Sequence, residues 1–254
     1  RPKFETMTGL VVIGVLVGSL RTINAWDFPT QLILTGTFLI GGQLLSSRRA
    51  FLERLMIGIA STALVVIVGY AVYLPFHASF ELFNNAVVKS QFTTELWRYI
   101  LIHSIFIFLI ISWIVFTWRE RLYQAFTLLA NPPMPGVGLA GWTWQVVMIL
   151  LLAVVASLAV TGFAVIAFAL MIGASIFAAG LVAHRSGISG SRYSLVAVGL
   201  AVMAMALTIG VDIFTVKDDI GRMNTVFKFY LQAWVLLGIA SAYFLWVLAD
   251  AGKL

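Results

Sequence analysis

The stretch YILIHSIFIFLIISWIVFTW, Tyr99 to Trp118, carries no charged residue from end to end. A helix rises about 1.5 Å per residue, so a run of this length spans a hydrocarbon core about 30 Å thick. A soluble domain has no use for so long an apolar segment, and alternation of the kind a membrane barrel needs is missing. The rest of the chain has the same character. Over 254 residues, 61% are apolar and only 10% are charged, with a mean hydropathy of +1.03. The expectation is an all-α integral membrane protein: a single helical domain over residues 1–254.

Apolar runs of spanning length predict about eight helices: Met7 to Asn24, Phe28 to Leu45, Leu55 to Leu74, Tyr99 to Trp118, Trp142 to Leu158, Phe163 to Ala183, Tyr193 to Gly210 and Thr225 to Leu248. Between the fifth and sixth, Thr161-Gly162 is the predicted breaker. Two connections are long. Pro75 to Arg98 places Phe76, Phe80, Phe83 and Val87 at helical spacing, which predicts an amphipathic helix lying in the interface. Arg119 to Gly141 ends in NPPMPGVG, where adjacent prolines forbid a continuing helix. Gly14 and Gly18 form a small-xxx-small pattern for helix contact.

Eight spans put both termini on one face. That face collects ten basic and four acidic residues, the other six of each. The positive-inside rule then places the termini in the cytoplasm, with the balanced face on the other side of the membrane. The net charge of +6 is read as this loop signal, and no nucleic-acid partner is expected. The absence of cysteine excludes disulfides, thiolate metal sites and thiol catalysis. The chain begins RPKFE, without initiator Met or signal pattern, which predicts a segment of a longer polypeptide.

Three outer-side stretches are richer in chemistry than loops require. RTINAWDFPT brings Arg21, Asn24, Trp26 and Asp27 together ahead of Pro29. YLPFHASFELF sets His77 and Glu81 four residues apart, on one face of a helix. VDIFTVKDDIGRMNTVFKFYLQAW, Val211 to Trp234, concentrates Asp212, Lys217, Asp218, Asp219, Arg222, Asn224 and Lys228. Asn224, Lys228 and Gln232 follow at i, i+4 and i+8, a polar stripe on the last helix. A mid-helix Lys costs about 2.5 to 3.5 kcal/mol on insertion scales, so it pairs, snorkels or lines a wet cavity. Taken singly, Trp26 reads equally as an interfacial anchor, Asp27 as a helix cap and Lys228 as a snorkelling residue. His103 reads as a hydrogen-bonded core residue. Taken jointly, the three stretches predict a shared outward pocket in which carboxylates beside Arg and Lys bind a metal-phosphate group or act as base and phosphate clamp.

Other motifs fail. GVGLAG, Gly136 to Gly141, matches a dinucleotide fingerprint by spelling but follows a proline-rich loop instead of a strand. There is no P-loop, H-E-x-x-H or G-x-S-x-G. Three scattered histidines without cysteine give no haem or zinc site.

The segments NAWDFPT (24 to 30), YLPF (73 to 76), LWRYILIHSIF (96 to 106) and DDIGRMNTVFKFYLQAW (218 to 234) resemble the Chlor_Arch_YYY membrane proteins of Chloroflexi and archaea, over most of the chain and in the same order. That family is grouped with the GT-C glycosyltransferases, which transfer sugars from lipid-phosphate carriers at the extracytoplasmic face. The resemblance implies a GT-C-like helical bundle acting on a polyprenyl-phosphate sugar donor. It also implies an outward cleft lined by Asp27, Asp218, Asp219, Arg222, Asn224 and Lys228, with Arg222 and Lys228 on the phosphate. Asp27, Asp218 and Asp219 are then the catalytic candidates, and Arg21, Trp26, His77, Glu81, Arg222, Asn224, Lys228 and Gln232 the substrate-binding ones. Asp218 and Asp219 would hold a divalent Mg or Mn ion. Two departures stand out: family members are longer and carry an upstream Gly-Asp-Leu-His type motif missing here, and His77 replaces an expected Tyr. Membrane lipids are the other expected partners. The competing reading is an accessory or scaffold subunit docked to protein partners in a larger membrane complex.

Overall fold

The computed structural model describes residues 4–46, 49–80, 86–130, 156–158, 160–185, 191–217 and 219–251. The protein is an all-α integral membrane protein. Among the described residues, seven helices are long and apolar enough to cross a membrane. They match the predicted spans to within a few residues at each end, apart from Trp142 to Leu158, which lies outside the described residues except for 156–158. The chain divides into two compact units, Arg1–Asn85 and Ala86–Leu254.

The first unit contains α1 (Phe4–Ile23), α2 (Asp27–Ser46), α3 (Phe51–Val72) and the short α4 (Leu74–Ser79). Its core is Leu10, Val17 and Val65, with Ile13, Phe28, Leu32 and Leu39 packed against them. Helix α1 meets α3 where Gly18 faces Gly69: a Cβ on Gly18 would stand 2.6 Å from the Gly69 Cα and carbonyl oxygen. Nothing larger than hydrogen fits there. In a membrane, where lipid tails match side chains in polarity, such backbone approach is what draws helices together, so the Gly14–Gly18 pattern does the packing expected of it.

The second unit contains a two-stranded ribbon, β1 (Val87–Lys89) with β2 (Phe214–Val216), and the helices α5 (Leu96–Ala130), α6 (Ala164–Arg185), α7 (Ser191–Ile213) and α8 (Met223–Ala251). Helix α6 packs on α7 and α7 on α8, while α5 lies against α6 and α8. On α7, Ala197, Ala201 and Ala204 are buried and give the neighbouring helices room to close in, while on α8 Phe227, Leu231 and Val235 are exposed, as a lipid-facing stripe requires. Deeper in the unit Trp113 of α5 stacks on Phe244 of α8 with ring centroids 4.4 Å apart. Gly162 adopts φ +89°, and Phe163 N–H donates to the Leu158 carbonyl at 2.9 Å. This is the six-to-one bond of a glycine-terminated helix, so Thr161-Gly162 breaks the chain as predicted.

The interfacial helix expected over Pro75 to Arg98 is corrected. Among the described residues ahead of α5, only Leu74–Ser79 is helical there and Val87 lies in β1, while Phe83 falls outside the described residues. The periodicity is real for its first pair, because Phe76 and Phe80 stack one turn apart at 4.7 Å. Val87 is drawn off by a different partner. Residues 86–90 pair with residues 213–217: Val87 sits opposite Val216 and Val88 opposite Thr215. The ribbon is extended by Ser90 N–H to the Ile213 carbonyl (2.8 Å) and Lys217 N–H to the Ala86 carbonyl (2.9 Å). Two β-branched valines facing a free edge favour extended backbone over helix.

Candidate functional site

In the second unit, the N-termini of α5, α6 and α8 meet the C-terminus of α7 around Tyr99, Val165, Val211 and Tyr230. The charged stretch of residues 211–234 closes this end. Asp212 occupies the last turn of α7, almost fully buried. The chain then runs through β2 into a 3-10 turn, Ile220–Arg222, that leads directly into α8. Two successive residues there are left-handed, Gly221 (φ 54°) and Arg222 (φ 58°). Glycine takes that conformation freely, whereas for arginine it costs about 1 to 2 kcal/mol.

What holds Arg222 there is its own side chain. One guanidinium nitrogen, Nη1, donates to the Val211 carbonyl at 3.0 Å and to Asp212 Oδ1 at 2.8 Å. The other, Nη2, donates to Thr94 Oγ1 at 2.8 Å. Thr94 gives both its N–H (3.1 Å) and its hydroxyl hydrogen (2.7 Å) to Asp212 Oδ1. Because that hydrogen is committed, the Tyr230 hydroxyl 3.1 Å away must be donor to Thr94. Asp212, Arg222, Thr94 and Tyr230 thus tie the end of α7, the start of α8 and the approach to α5 into one buried network. Arg222, expected as a phosphate ligand, is 7% exposed, with three of its five N–H donors engaged in this network.

Asp219 stands just ahead of the 3-10 turn and caps α8 across it. Its Oδ1 accepts the Asn224 N–H and side-chain amide (both 3.2 Å), and its Oδ2 accepts the Thr225 N–H (2.8 Å) and hydroxyl (2.6 Å). Partial burial pushes this carboxyl up, but the four hydrogen bonds outweigh it and hold Asp219 below the usual carboxylate range. All four lone-pair sites of the carboxylate are then in use. Asp219 as it stands therefore does not fit a metal, and among the described residues no three His, Asp or Glu side chains gather into a metal site. Asp218 lies outside the described residues, as does Glu81. The polar stripe of α8 turns inward as it descends: Asn224 is exposed, Lys228 half-buried and Gln232 buried.

Beneath the network lie residues that sequence reasoning left out of the site. The Tyr99 hydroxyl is 3.2 Å from Thr208 Oγ1, and the ring of His103, one turn on, lies 4.5 Å from that of Tyr99 and 5.3 Å from that of Tyr230. His103 is the core residue expected: its Nδ1 is 3.0 Å from the Tyr99 carbonyl, which can only accept, so Nδ1 carries the hydrogen. Its Nε2 and Asp212 Oδ2 are both buried without a hydrogen-bond partner. Thr94 gave no local signal, since its partners are 118 and 128 positions away. Tyr99 and Tyr230 did carry one: each falls inside a stretch on which the family resemblance rests.

Asp27 and His77 belong to the first unit and Arg222 to the second. The linker from α1 to α2 folds on itself. Asn24 Nδ2 donates to Asp27 Oδ2 at 2.9 Å, and the Asp27 N–H returns to the Asn24 carbonyl at 3.0 Å. Asp27 thereby opens α2 with its charge at the helix N-terminus, where the macrodipole favours it. Trp26 is half-buried in the same turn. Arg21, in the last turn of α1, lies 6.0 Å over the Phe28 ring. With His77 it lines a cavity of about 210 Å³ that also touches Val17, Leu32, Val65 and Tyr70. Desolvation, then the Arg21 charge, lowers the His77 pKa from its ordinary value.

A family model described as uncharacterized membrane protein (DUF2298) matches residues 2–237. No curated protein and no solved structure matches the chain.

Proposed function

From the chain's membership of this membrane protein family (DUF2298), together with the stretches that resemble the Chlor_Arch_YYY proteins, we propose that it is part of a glycosyltransferase moving a sugar from a polyprenyl-phosphate donor at the extracytoplasmic face. The observation that carries the reading is the buried Asp212–Arg222–Thr94–Tyr230 network. It fixes the end of the bundle from which Asn224 and Lys228 rise on the first turns of α8. Arg222 is the positioning residue of this arrangement. Lys228 with Asn224 stabilises the phosphate that departs.

In the transfer, an acceptor hydroxyl attacks the anomeric carbon and the bond from that carbon to the phosphate oxygen breaks. The phosphate keeps the electron pair, and a carboxylate takes the hydroxyl proton. Asp219 is spent as a cap, which leaves Asp218, its neighbour in the same stretch, as the candidate for that base. Lys228→Met removes the cation while keeping the length of the side chain. Release of labelled sugar from polyprenyl phosphate should fall by about 100-fold or more, with the thermal unfolding of the solubilised protein unchanged. Full transfer in that variant refutes the role.

The second reading is a non-catalytic subunit of a larger membrane complex. It is favoured by the same commitment of charge, because Asp212, Arg222 and Asp219 are engaged with one another and with the backbone. Stoichiometric protein partners on purification, in a protein that neither binds polyprenyl phosphate nor turns it over, would select it.

A further inference from the structure

The cavity of the first unit has a polarity gradient along the membrane normal. Its polar groups sit at span ends: the Arg21 guanidinium in the last turn of α1, and the His77 imidazole in α4, directly after α3. Its apolar part, Val17, Leu32 and Val65, begins about one turn deeper. Charge at headgroup depth over a hollow at acyl depth matches the amphipathy of a lipid, one end wet and the other dry.

The charge has a sign. Arg21 takes part in none of the ion pairs found among the described residues, and the acid of the same linker, Asp27, accepts a hydrogen bond from Asn24. His77 is held in place by stacking on Tyr70, ring centroids 4.7 Å apart. Two donors therefore face the cavity mouth, one a guanidinium suited to bidentate contact with a phosphate. The volume of about 210 Å³ is below the roughly 300 Å³ at which pockets begin to enclose a whole small molecule. It suits one segment of a chain.

We propose that this cavity binds an anionic phospholipid, with its phosphate on Arg21 and His77 and part of one acyl chain along Val17, Leu32 and Val65. A zwitterionic headgroup would bring a second cation up against Arg21, which is why the site should prefer a net negative lipid. A free phosphate leaves the apolar part unused. The inference is independent of the transfer reading, because it concerns the other unit and needs no reaction.

The test is native mass spectrometry of the full chain in detergent, with phosphatidylglycerol, phosphatidylcholine or inorganic phosphate added in turn. Phosphatidylglycerol should be retained over phosphatidylcholine by about fivefold, the worth of one basic residue at an anionic surface. Arg21→Gln should bring that ratio close to one. Arg98→Gln, which alters an exposed cation paired with Glu95 in the other unit, should leave it alone. His77→Gln, read the same way, lowers the ratio in part and serves if Arg21→Gln fails to fold. Equal retention of the two lipids by the unaltered protein overturns the proposal. So does a ratio untouched by both cavity variants, or displacement of phosphatidylglycerol by inorganic phosphate at equal concentration.

Discussion

The two units hold their helices by opposite means. In the first, α1 and α3 touch at Gly18 and Gly69, where neither helix presents a side chain. In the second, α7, α8 and the approach to α5 are joined by a buried ion pair and the hydroxyls around it. The contrast extends to the arginines at their span ends. Arg222 is buried and enclosed by acceptors, whereas Arg21 is half-buried beside two aromatic rings and an apolar cavity. Identical side chains at the same kind of position thus take different work: one sets the backbone of a turn, the other lines a cavity and enters no ion pair among the described residues. Acceptors within reach, not residue type, decide between the two.

The strongest way to break the comparison is to remove the acid that Arg222 depends on. Asp212→Ala leaves a buried guanidinium without its counter-charge, and such a loss costs about 3 to 5 kcal/mol. The left-handed φ of Arg222 is then held only through the Val211 carbonyl and Thr94. The expected result is a large fall in the unfolding temperature of the detergent-solubilised protein, or failure to accumulate it. Asp212→Ala combined with Arg222→Met should recover part of that loss, since the unpaired charge is gone. An unchanged unfolding temperature in Asp212→Ala would show that the pair contributes nothing.

This network also marks the limit of what was legible beforehand. Periodicity and run length located the spans because each is a local property, carried by consecutive residues that all face lipid or neighbouring helices. The glycine contact was readable for the same reason: Gly14 and Gly18 lie on one helix face. Long-range pairing was not. Val87 continues a helical pattern begun by Phe76 and Phe80, and only β2, more than a hundred positions away, makes it a strand residue. Arg222 read as a phosphate ligand because Asp212 and Thr94, which occupy its donors, cannot be brought to it from the order of the residues. Asp219 read as a catalytic or metal-binding acid, yet the Thr225 hydroxyl and Asn224 amide that saturate it follow it closely. That capping pattern was available and went unused.

A bulky residue at the glycine contact tests the first unit by a smaller amount. Gly18→Val puts a branched side chain where even a single Cβ would lie 2.6 Å from the facing backbone. The helices must separate, and overpacking of this kind costs about 1 to 3 kcal/mol. The unfolding temperature should drop while the second unit keeps its protection from hydrogen exchange at Tyr99 and Tyr230. If protection there is lost in step, the two units do not unfold separately and the contrast drawn between them fails as a statement about stability. Gly9→Ala is the control, because a Cβ at Gly9 meets nothing within 4 Å.

The smallest effect concerns Asp219, and its direction with pH follows from the hydrogen bonds. Thr225 and Asn224 stabilise the ionised carboxyl, so its pKa in the folded protein lies below the ordinary value of 3.8. A depressed carboxyl contributes stability that is complete above the unfolded value and is lost as pH falls through the folded one. Asp219→Ala should therefore cost about 1 kcal/mol at neutral pH, the usual worth of a capping side chain. Little of that difference should remain in acid well below pH 3.8, where the unaltered protein has also lost its charged cap. Asp219→Asn retains an oxygen acceptor and should fall between the two at neutral pH, with little dependence on pH of its own. A gap between the unaltered protein and Asp219→Ala that stays constant down to strong acid would mean that the charge is irrelevant and that the cap acts through geometry alone. The start of α8, and with it the placement of Asn224 and Lys228, would then have to be held by the Arg222 network.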